Sequence, residues 1–419
     1  MLDLKGKKVT ILGFARSGRE AAQLAAKHGA KIRISDQADT PQIRQAIEDC
    51  LFKDIAVQLG GHSERFIQDS DWVILSPGIR LDSPAVKWAA KKNIPVISEI
   101  ELGFYFCPAK IIAITGSNGK TTVTTLVAEV LKKTGRQVFA CGNIGNPFSG
   151  IVDKLASDDL VSLEVSSFQL ETIVKFRPYV AVFLNFSRNH LDRHADMKEY
   201  LLQKRRIFMN QTADDWAVLN YEEPVVKGLA KDLKAKTVFF NSPSDKDNAI
   251  SNPNFLAAQA VGEIFKVSQE DCLEVFDNFK GAEHRLEFVR NFQGVDYIND
   301  SKATTVESAV WALNQLDKPV IMICGGRDKG LDFASIRELV KARVKEMVII
   351  GEAKEKLKKA FDGALPLKEA KDLKEAVSWA ARLAQSGDCV LLCPMCASFD
   401  MFANFEERGR VFKDLVRRL

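Results

Sequence analysis

"IIAITGSNGKTT", residues 111–122, runs from an apolar strand into a polar turn and then into the start of a helix. The common phosphate-loop signature is G-x-x-x-x-G-K-[ST], in which backbone N–H groups and a lysine hold phosphates. Gly119, Lys120 and Thr121 fit its end, whereas Ile114 stands where its first glycine belongs. In the strand–turn–helix setting, Gly116, Ser117, Asn118 and Gly119 form the turn, and Thr121 and Thr122 fall in the first helical turn. The helix N-terminus attracts an anion, Lys120 neutralises phosphate charge, and the Thr121 hydroxyl is placed to ligate Mg²⁺. The plain alternative is a Gly-Asn turn before an ordinary helix. The coincidence of Gly, Lys and Thr in this setting favours the nucleotide reading.

On both sides of this loop, short β-rich runs alternate with helical patterns, the sequence form of parallel sheets covered by helices. Three series separate. The first holds "KVTILGF", "KIRIS", "WVILSPG" and "PVIS", with a helix from about Gly18 to His28. The second holds "KIIAITG", "QVFACG", "LVSLEVSS", "VAVFLNFS", "WAVLN" and "TVFF", then a helical stretch near Asn254–Phe265. The third holds "VDYIND", "PVIMICGG", "EMVIIG" and "DCVLLCP", closing with a helix from about Phe402 to Arg417. The expectation is α/β architecture in three domains, 1–100, 101–284 and 285–419, which suits a chain of 419 residues.

The 59 basic residues nearly balance the 55 acidic ones, for a net charge of +4. That balance points away from nucleic acid and from a membrane surface as partners. No apolar run is long enough to span a bilayer, and "MLDLKGKKVTIL" has no signal-peptide pattern, so a cytoplasmic protein without membrane insertion is expected. Eight scattered cysteines, mostly in apolar segments, read as small core residues of a reducing compartment. The one CxxC, Cys393 to Cys396, lacks the second ligand pair of a zinc site.

Open parallel sheets bind ligands at the carboxyl ends of their strands, so chemistry-bearing residues there carry most weight. In "LVSLEVSS", Glu164 alternates with Val161, Leu163 and Val165; a carboxylate inside such a strand is costly to bury unless a cation or donors meet it. Glu164 is therefore a metal-ligand candidate, against the alternative of a glutamate at a frayed strand end. His190 follows "VAVFLNFS" in the loop "RNHLDRH". In "DMKEYLLQKRRIFMN", Met197, Leu201, Lys204 and Phe208 share a helical face, which sets a lysine in an apolar stripe where it must snorkel, find a partner or change its chemistry.

The loop T-G-S-N-G-K-T-T resembles the variant phosphate loop of the Mur ligases and folylpolyglutamate synthases, in which the first glycine is not required. "YINDSKATT" resembles the D-S-K-A-T-N word of the D-glutamate-adding Mur ligases, and argues against the folate branch. The resemblance covers essentially the whole chain in order, and implies a Rossmann-like N-terminal domain, a central P-loop ATPase-like domain and a Rossmann-like C-terminal domain. It implies ATP-dependent amide formation, through an acyl phosphate, between UDP-N-acetylmuramoyl-L-alanine and D-glutamate in peptidoglycan precursor synthesis. Two Mg²⁺ ions and a monomeric state are also expected.

On the same grounds the residues take roles. Gly116 to Thr122, Asn254, Arg285 and Asp300 serve ATP, with Arg285 at the γ-phosphate and Asp300 at the ribose. Lys120, His190, Lys204, Arg285 and Lys302 form the catalytic set. Thr121, Glu164, His190 and Lys204, the last carbamylated, form the metal set. In the first series, "GFARSG" is a weak G-x-G-x-x-G because Ala15 replaces its middle glycine, so a dinucleotide role for hydride transfer is not indicated. It is similar instead to the family's uridine-nucleotide site: Ser17 and Gly18 at the diphosphate, Asp36 near uracil, and Ser76, Pro77 and Gly78 lining the pocket. Asn143, Ser166, Ser167 and Gln169 would face the sugar-peptide end. Thr304, Lys329, Ser398 and Phe405 would receive D-glutamate. The chain departs from the pattern at Thr305, where the family word has Asn, at Arg16 and Gln37, and before Asn254, where the usual His-Asn is missing.

Overall fold

The computed structural model of the protein describes residues 2–52, 54–188, 193–247, 250, 252–279, 281, 283–328 and 330–419. Three sheets follow one another along the chain. The first contains β1 (Lys8–Leu12), β2 (Lys31–Ser35), β3 (Ala56–Gln58), β4 (Trp72–Leu75) and β5 (Val96–Ser98), in the spatial order β3-β2-β1-β4-β5 and parallel throughout. The second contains β6 (Lys110–Thr115), β7 (Val138–Gly142), β8 (Leu160–Glu164), β9 (Val180–Phe183), β10 (Trp216–Asn220) and β11 (Lys236–Phe240), in the order β11-β10-β9-β6-β8-β7, also parallel. The third contains β12 (Glu287–Phe292), β13 (Val295–Asn299), β14 (Val320–Gly325), β15 (Val344–Ile350), β16 (Leu367–Glu369) and β17 (Cys389–Leu392), in the order β12-β13-β17-β14-β15-β16. Only its edge pair β12–β13 is antiparallel.

The central strands are apolar on both faces because helices cover both. β6, for example, sends Ile111 and Ala113 into one core and Ile112 and Ile114 into another. Its position between β9 and β8 puts the phosphate-loop candidate mid-sheet, at the carboxyl end, where the strand order turns back on itself.

The chain forms two compact units, Met1–Phe279 and Lys280–Leu419, so the first two sheets share one unit. The helix Glu99–Phe106 joins them and is held by two buried carboxylates. Glu101 accepts the N–H groups of Val174, Lys175 and Phe176 at 2.7–3.0 Å. Glu99 accepts both the N–H and the hydroxyl of Ser149.

Helix ends differ from the sequence expectations for local reasons. The last helix begins at Phe405, not Phe402, because the Asn404 side chain accepts the Glu407 N–H and caps it there. The first begins at Arg16, two residues earlier than expected, and the helix near Asn254 spans Pro253–Ile264 with Pro in its first turn. The strands β3, β12 and β16 were not expected from the sequence. β3 and β16 have three residues each, and β12 is a half-exposed edge strand without strict alternation.

Candidate active site

β6 ends in Thr115, whose hydroxyl donates to the Val165 carbonyl, and the chain then turns through Gly116–Gly119 into the helix Lys120–Lys132. Gly119 has φ of +80°, which favours glycine, and its Cα lies so close to Asn254 that a Cβ would come within 2.7 Å of Asn254 Oδ1. The same contact places Asn254 beside the loop. The helix has neither a side-chain cap nor an acidic residue in its first turn, which suits an anion at its N-terminus. Lys120 Nζ curls over the turn and donates to the carbonyls of Gly116 and Ser117, 3.0 Å each.

Glu164, 1% exposed at the end of β8, meets two donors. Thr121 Oγ1 lies 2.7 Å from Oε2, and Asn143 Nδ2 lies 2.8 Å from Oε1. The costly buried carboxylate thus faces the phosphate loop, with hard oxygen donors of the kind Mg²⁺ takes. Asn143, expected at the sugar-peptide end, uses its amide on this carboxylate.

Lys204 comes to the same place from the helix Met197–Arg205. It is 1% exposed, and its Nζ donates to Gly116 O at 2.7 Å and to Thr115 Oγ1 at 3.3 Å. Burial, and next the Lys120 ammonium, hold its pKa well below that of an ordinary lysine, against the opposing pull of Glu164. The apolar-stripe expectation is met with a partner set instead of snorkelling. His190 and Lys329 lie outside the described residues.

Several partners of this loop were not singled out from the sequence. Asn185 and Ser187, just past β9, zip it in place. Asn118 N–H donates to Asn185 Oδ1 at 2.8 Å, Ser117 N–H to Asn185 O at 3.0 Å, and Ser187 N–H to Ser117 Oγ at 2.9 Å. Tyr200, fully buried, brings its hydroxyl 3.4 Å from Ser117 Oγ, and burial pushes its pKa up to about 12. The available signals were a polar run directly after a buried strand and a tyrosine one helical turn before Lys204.

The short helix Ser167–Leu170 accounts for two expected acceptor contacts by local structure. Ser166 and Gln169 form a reciprocal capping box. Ser167 Oγ lies 3.0 Å from His194 Nε2.

In the first sheet, the helix Arg16–Lys27 also begins without a side-chain cap, and Ser17 sits in its first turn. A Cβ on Gly18 would lie 2.0 Å from the Gly13 carbonyl oxygen, so close packing alone requires glycine there. Ser76 Oγ donates to that same carbonyl at 2.6 Å, and Asp36 accepts the N–H groups of Phe14 and Ala38 at 2.6 and 2.9 Å. Both residues therefore shape the loops as well as standing at strand ends. Pro77 and Gly78 follow Ser76 in the turn after β4.

In the second unit, Asp300 is 2% exposed, accepts the Leu286 N–H at 3.3 Å, and has its pKa raised to about 6 by burial, with Arg285 pulling it down. The Arg285 guanidinium carbon lies 5.3 Å from the Trp311 ring centroid. Lys302 Nζ stands 5.5 Å from the Phe405 ring centroid, and Ser398 is buried. Thr304 is half-buried just ahead of Thr305, whose hydroxyl accepts the Ser308 N–H and caps the helix Val306–Asn314. Thr and Asn are both good caps, so the residue that departs from the family word still serves the helix start.

The loops of the second unit converge on Arg408, missed in the sequence reading. It is wholly buried, and donates through Nε to Ser301 Oγ (3.0 Å), through Nη2 to Ser301 O (2.8 Å) and through Nη1 to Cys396 O (3.2 Å); burial lowers its pKa to about 10. Arg327 and Ala397 pair their backbones, joining the loop after β14 to the one after β17. Cys393 and Cys396 are buried free thiols, the latter pushed up to about 12 by burial.

Family profiles described as "Mur ligase MurD-like, N-terminal domain", "Mur ligase middle domain" and "Mur ligase, glutamate ligase domain" match residues 7–98, 114–287 and 284–396. A UDP-N-acetylmuramoylalanine--D-glutamate ligase of Koribacter versatilis is 40% identical over 450 residues, covering 100% of this chain and 99% of that protein. One of Clostridioides difficile is 38% identical over 452 residues, covering 100% of both. Among solved structures, UDP-N-acetylmuramate-alanine ligase MurC from Thermotoga maritima superposes with a TM-score of 0.61 at 16% identity, over 98% of this chain and 99% of that one. MurF from Acinetobacter baumannii gives 0.60 at 15% identity, over 94% and 86%. Aligned end to end with such ligases and sharing the fold of their solved relatives, the chain belongs to the Mur ligase family.

Proposed function

We propose that the protein joins D-glutamate to UDP-N-acetylmuramoyl-L-alanine with conversion of ATP to ADP and phosphate, a step of peptidoglycan precursor synthesis. The observation that carries the reading is the meeting of Thr121, Glu164 and the buried Lys204 at one phosphate loop. The full-length kinship with D-glutamate ligases supplies the substrates.

In this reading the alanyl carboxylate of the acceptor attacks the γ-phosphorus of ATP, the bond to ADP breaks, and an acyl phosphate forms. The amino group of D-glutamate, having lost a proton, attacks the acyl carbon; phosphate leaves and the amide remains. The phosphoryl transfer needs alignment and charge neutralisation rather than covalent help from the protein. Lys120 and Arg285 supply positive charge to the phosphates, and Asn254 and Asp300 serve the adenosine portion. Lys302 would serve the phosphates or the developing charge. Thr304, Lys329, Ser398 and Phe405 receive D-glutamate, a lysine and a hydroxyl being suited to its carboxylate.

Mg²⁺, when bound, would supply further charge neutralisation; Thr121 and Glu164 would hold one ion, and Glu164, His190 and a carbamylated Lys204 the other. A neutral amine is the form of lysine that adds to carbon dioxide. The depressed pKa of Lys204 thus suits carbamylation, which gives up a proton and exchanges a cation for an anion at a cation site. The acceptor's diphosphate belongs at Ser17 and Gly18, its uracil near Asp36 and the Ser76–Gly78 turn, and its sugar-peptide end toward Asn143, Ser166, Ser167 and Gln169. Residues 1–100, 101–284 and 285–419 are accordingly read as acceptor, nucleotide and amino-acid domains of a monomeric enzyme. Among the described residues no helix is long and apolar enough to cross a membrane.

The test is ADP formation by the purified protein with Mg²⁺, the acceptor and a panel of amino acids that includes both hands of glutamate. Turnover is expected with D-glutamate and not with L-glutamate. No ADP in the complete mixture would sink the proposal, and turnover on a folate acceptor would redirect it to the synthase branch.

A further inference from the structure

Arg193 lies in the loop beyond β9, and its side chain is 11% exposed. Its guanidinium spans the two sheets of the first unit. Nη1 donates to the Pro77 carbonyl at 2.6 Å, Nη2 to the Ile79 carbonyl at 2.8 Å, and Nη2 also to Glu171 Oε2 at 3.1 Å. The guanidinium carbon sits 4.2 Å from the Phe168 ring centroid. A planar fork can satisfy these acceptors together and stack at the same time, which an ammonium cannot do. Glu171, 8% exposed, compensates the buried charge, and Arg193 in turn offsets the rise that burial imposes on the Glu171 pKa.

The contacts continue without a gap to the phosphate loop. His194 Nδ1 lies 4.0 Å from Glu171 Oε1, and its ring centroid is 5.2 Å from that of Tyr200. The Tyr200 hydroxyl lies 3.4 Å from Ser117 Oγ, inside the loop. Pro77 and Ile79 belong to the turn after β4 that also carries Ser76 against Gly13. One guanidinium thus grips the turn assigned to the acceptor nucleotide, and the residue next to it packs against the support of the ATP loop.

We infer that Arg193 is a positioning residue that couples the two sites, so that filling the turn at residues 76–79 with the acceptor tightens the nucleotide at the phosphate loop, and the reverse. The inference rests on the functional reading above. Coupling of this kind is reciprocal by thermodynamic necessity, so either ligand can report it. A contiguous set of packed and hydrogen-bonded groups is the physical means, and it must be shown by measured coupling, not by proximity.

The experiment is titration calorimetry on the full chain with UDP-N-acetylmuramoyl-L-alanine and with a non-hydrolysable ATP analogue plus Mg²⁺, each alone and with the other saturating. In the wild type the second ligand is expected to bind about tenfold tighter than it does alone, within the usual range for coupled sites. In Arg193→Gln that ratio falls below about twofold, whatever happens to the separate affinities. Arg193→Lys, which keeps the charge and loses the fork, shows the same collapse and replaces the glutamine variant if that one does not fold. A purely structural strut would lower the melting temperature or both affinities and leave the ratio as it was; an unchanged ratio in a folded variant, or a wild-type ratio of one, overturns the inference. Failure of the wild type to bind either ligand would remove the functional reading itself, and the inference with it.

Discussion

Lys204 is held where a charged ammonium is disfavoured, and its folded pKa lies below that of the unfolded chain. Between those two values the unfolded state binds more protons than the folded one, so the stability contributed by this group rises with pH up to the unfolded pKa. At neutral pH an apolar isostere escapes the penalty. Lys204→Met is therefore expected to be more stable than the wild type by about 1 kcal/mol at pH 7.5 in buffer freed of carbon dioxide. The advantage should shrink toward pH 10, where the unfolded lysine also loses its proton, and Gly116 O is not left unpaired in the variant because it keeps its bond from Lys120. Denaturant melts at the two pH values measure this, and the same variant should lose ADP formation by about 100-fold or more, the scale of deleting one preorganised charge. Asp300 has the opposite sign. Its folded pKa is raised to about 6, so its favourable contribution is complete below the unfolded value and is lost as pH rises through about 6. Asp300→Asn, which cannot ionise, should gain on the wild type by at most about 3 kcal/mol between pH 4 and pH 8. If the carboxylate holds the ribose, the wild-type KM for ATP rises as pH falls through about 6, while that of the variant stays flat. Glu164 and Lys204 were legible in the sequence because each interrupts an apolar pattern. Arg193 and Arg408 were not, because their acceptors are mainly backbone carbonyls distant in the chain, which no spacing reveals.

The central strands of the second sheet, β6, β8 and β9, were visible as apolar runs, since burial on both faces leaves a continuous signal. β12 was invisible for the converse reason: at an edge, with Phe288 exposed, its residues answer to solvent as much as to a core. Loops at the carboxyl ends of β13 and β17 were readable only as words, and what fixes them is the helix Phe405–Arg417 acting through Arg408. Arg408→Lys leaves the charge but cannot reach Ser301 and Cys396 together, so at least one buried carbonyl goes unpaired. The expected cost is about 3 kcal/mol, from the desolvation of polar groups left without partners. Because these loops carry Lys302, Thr304 and Ser398, the KM for D-glutamate should rise about tenfold or more, a loss of about 1.4 kcal/mol in binding. The KM for the acceptor should stay within a factor of about two. A rise in both constants alike would mean that Arg408 supports the fold without ordering the amino-acid loops.

The three series of strands were legible in order, but the contacts that tie the first sheet to the second were not. The first and second sheets share a unit because Glu99 and Glu101 on the connecting helix are consumed by Ser149 and by the backbone of residues 174–176, and acidic residues on a helix ordinarily read as solvated. Each unit carries its own buried clusters: Ile11, Ile34, Phe148 and Phe183 lie in the first, and Met322, Phe333, Val390 and Phe412 in the second. A chain with two such cores does not meet the conditions for a single two-state transition. Calorimetric melting of the ligand-free protein should accordingly resolve two transitions, and Asp300→Asn should move only one of them at pH 8. The acceptor supplied at about 100 times its Kd stabilises the unit that binds it by about 2.7 kcal/mol, which for a unit of this size raises its midpoint by about 5 °C. If the acceptor belongs to the first unit, the transition that responds to it is the one Asp300→Asn leaves in place. Movement of the same transition by both would place the acceptor's main contacts in residues 280–419, and the assignment of Ser17, Asp36 and the Ser76–Gly78 turn to it would have to be abandoned.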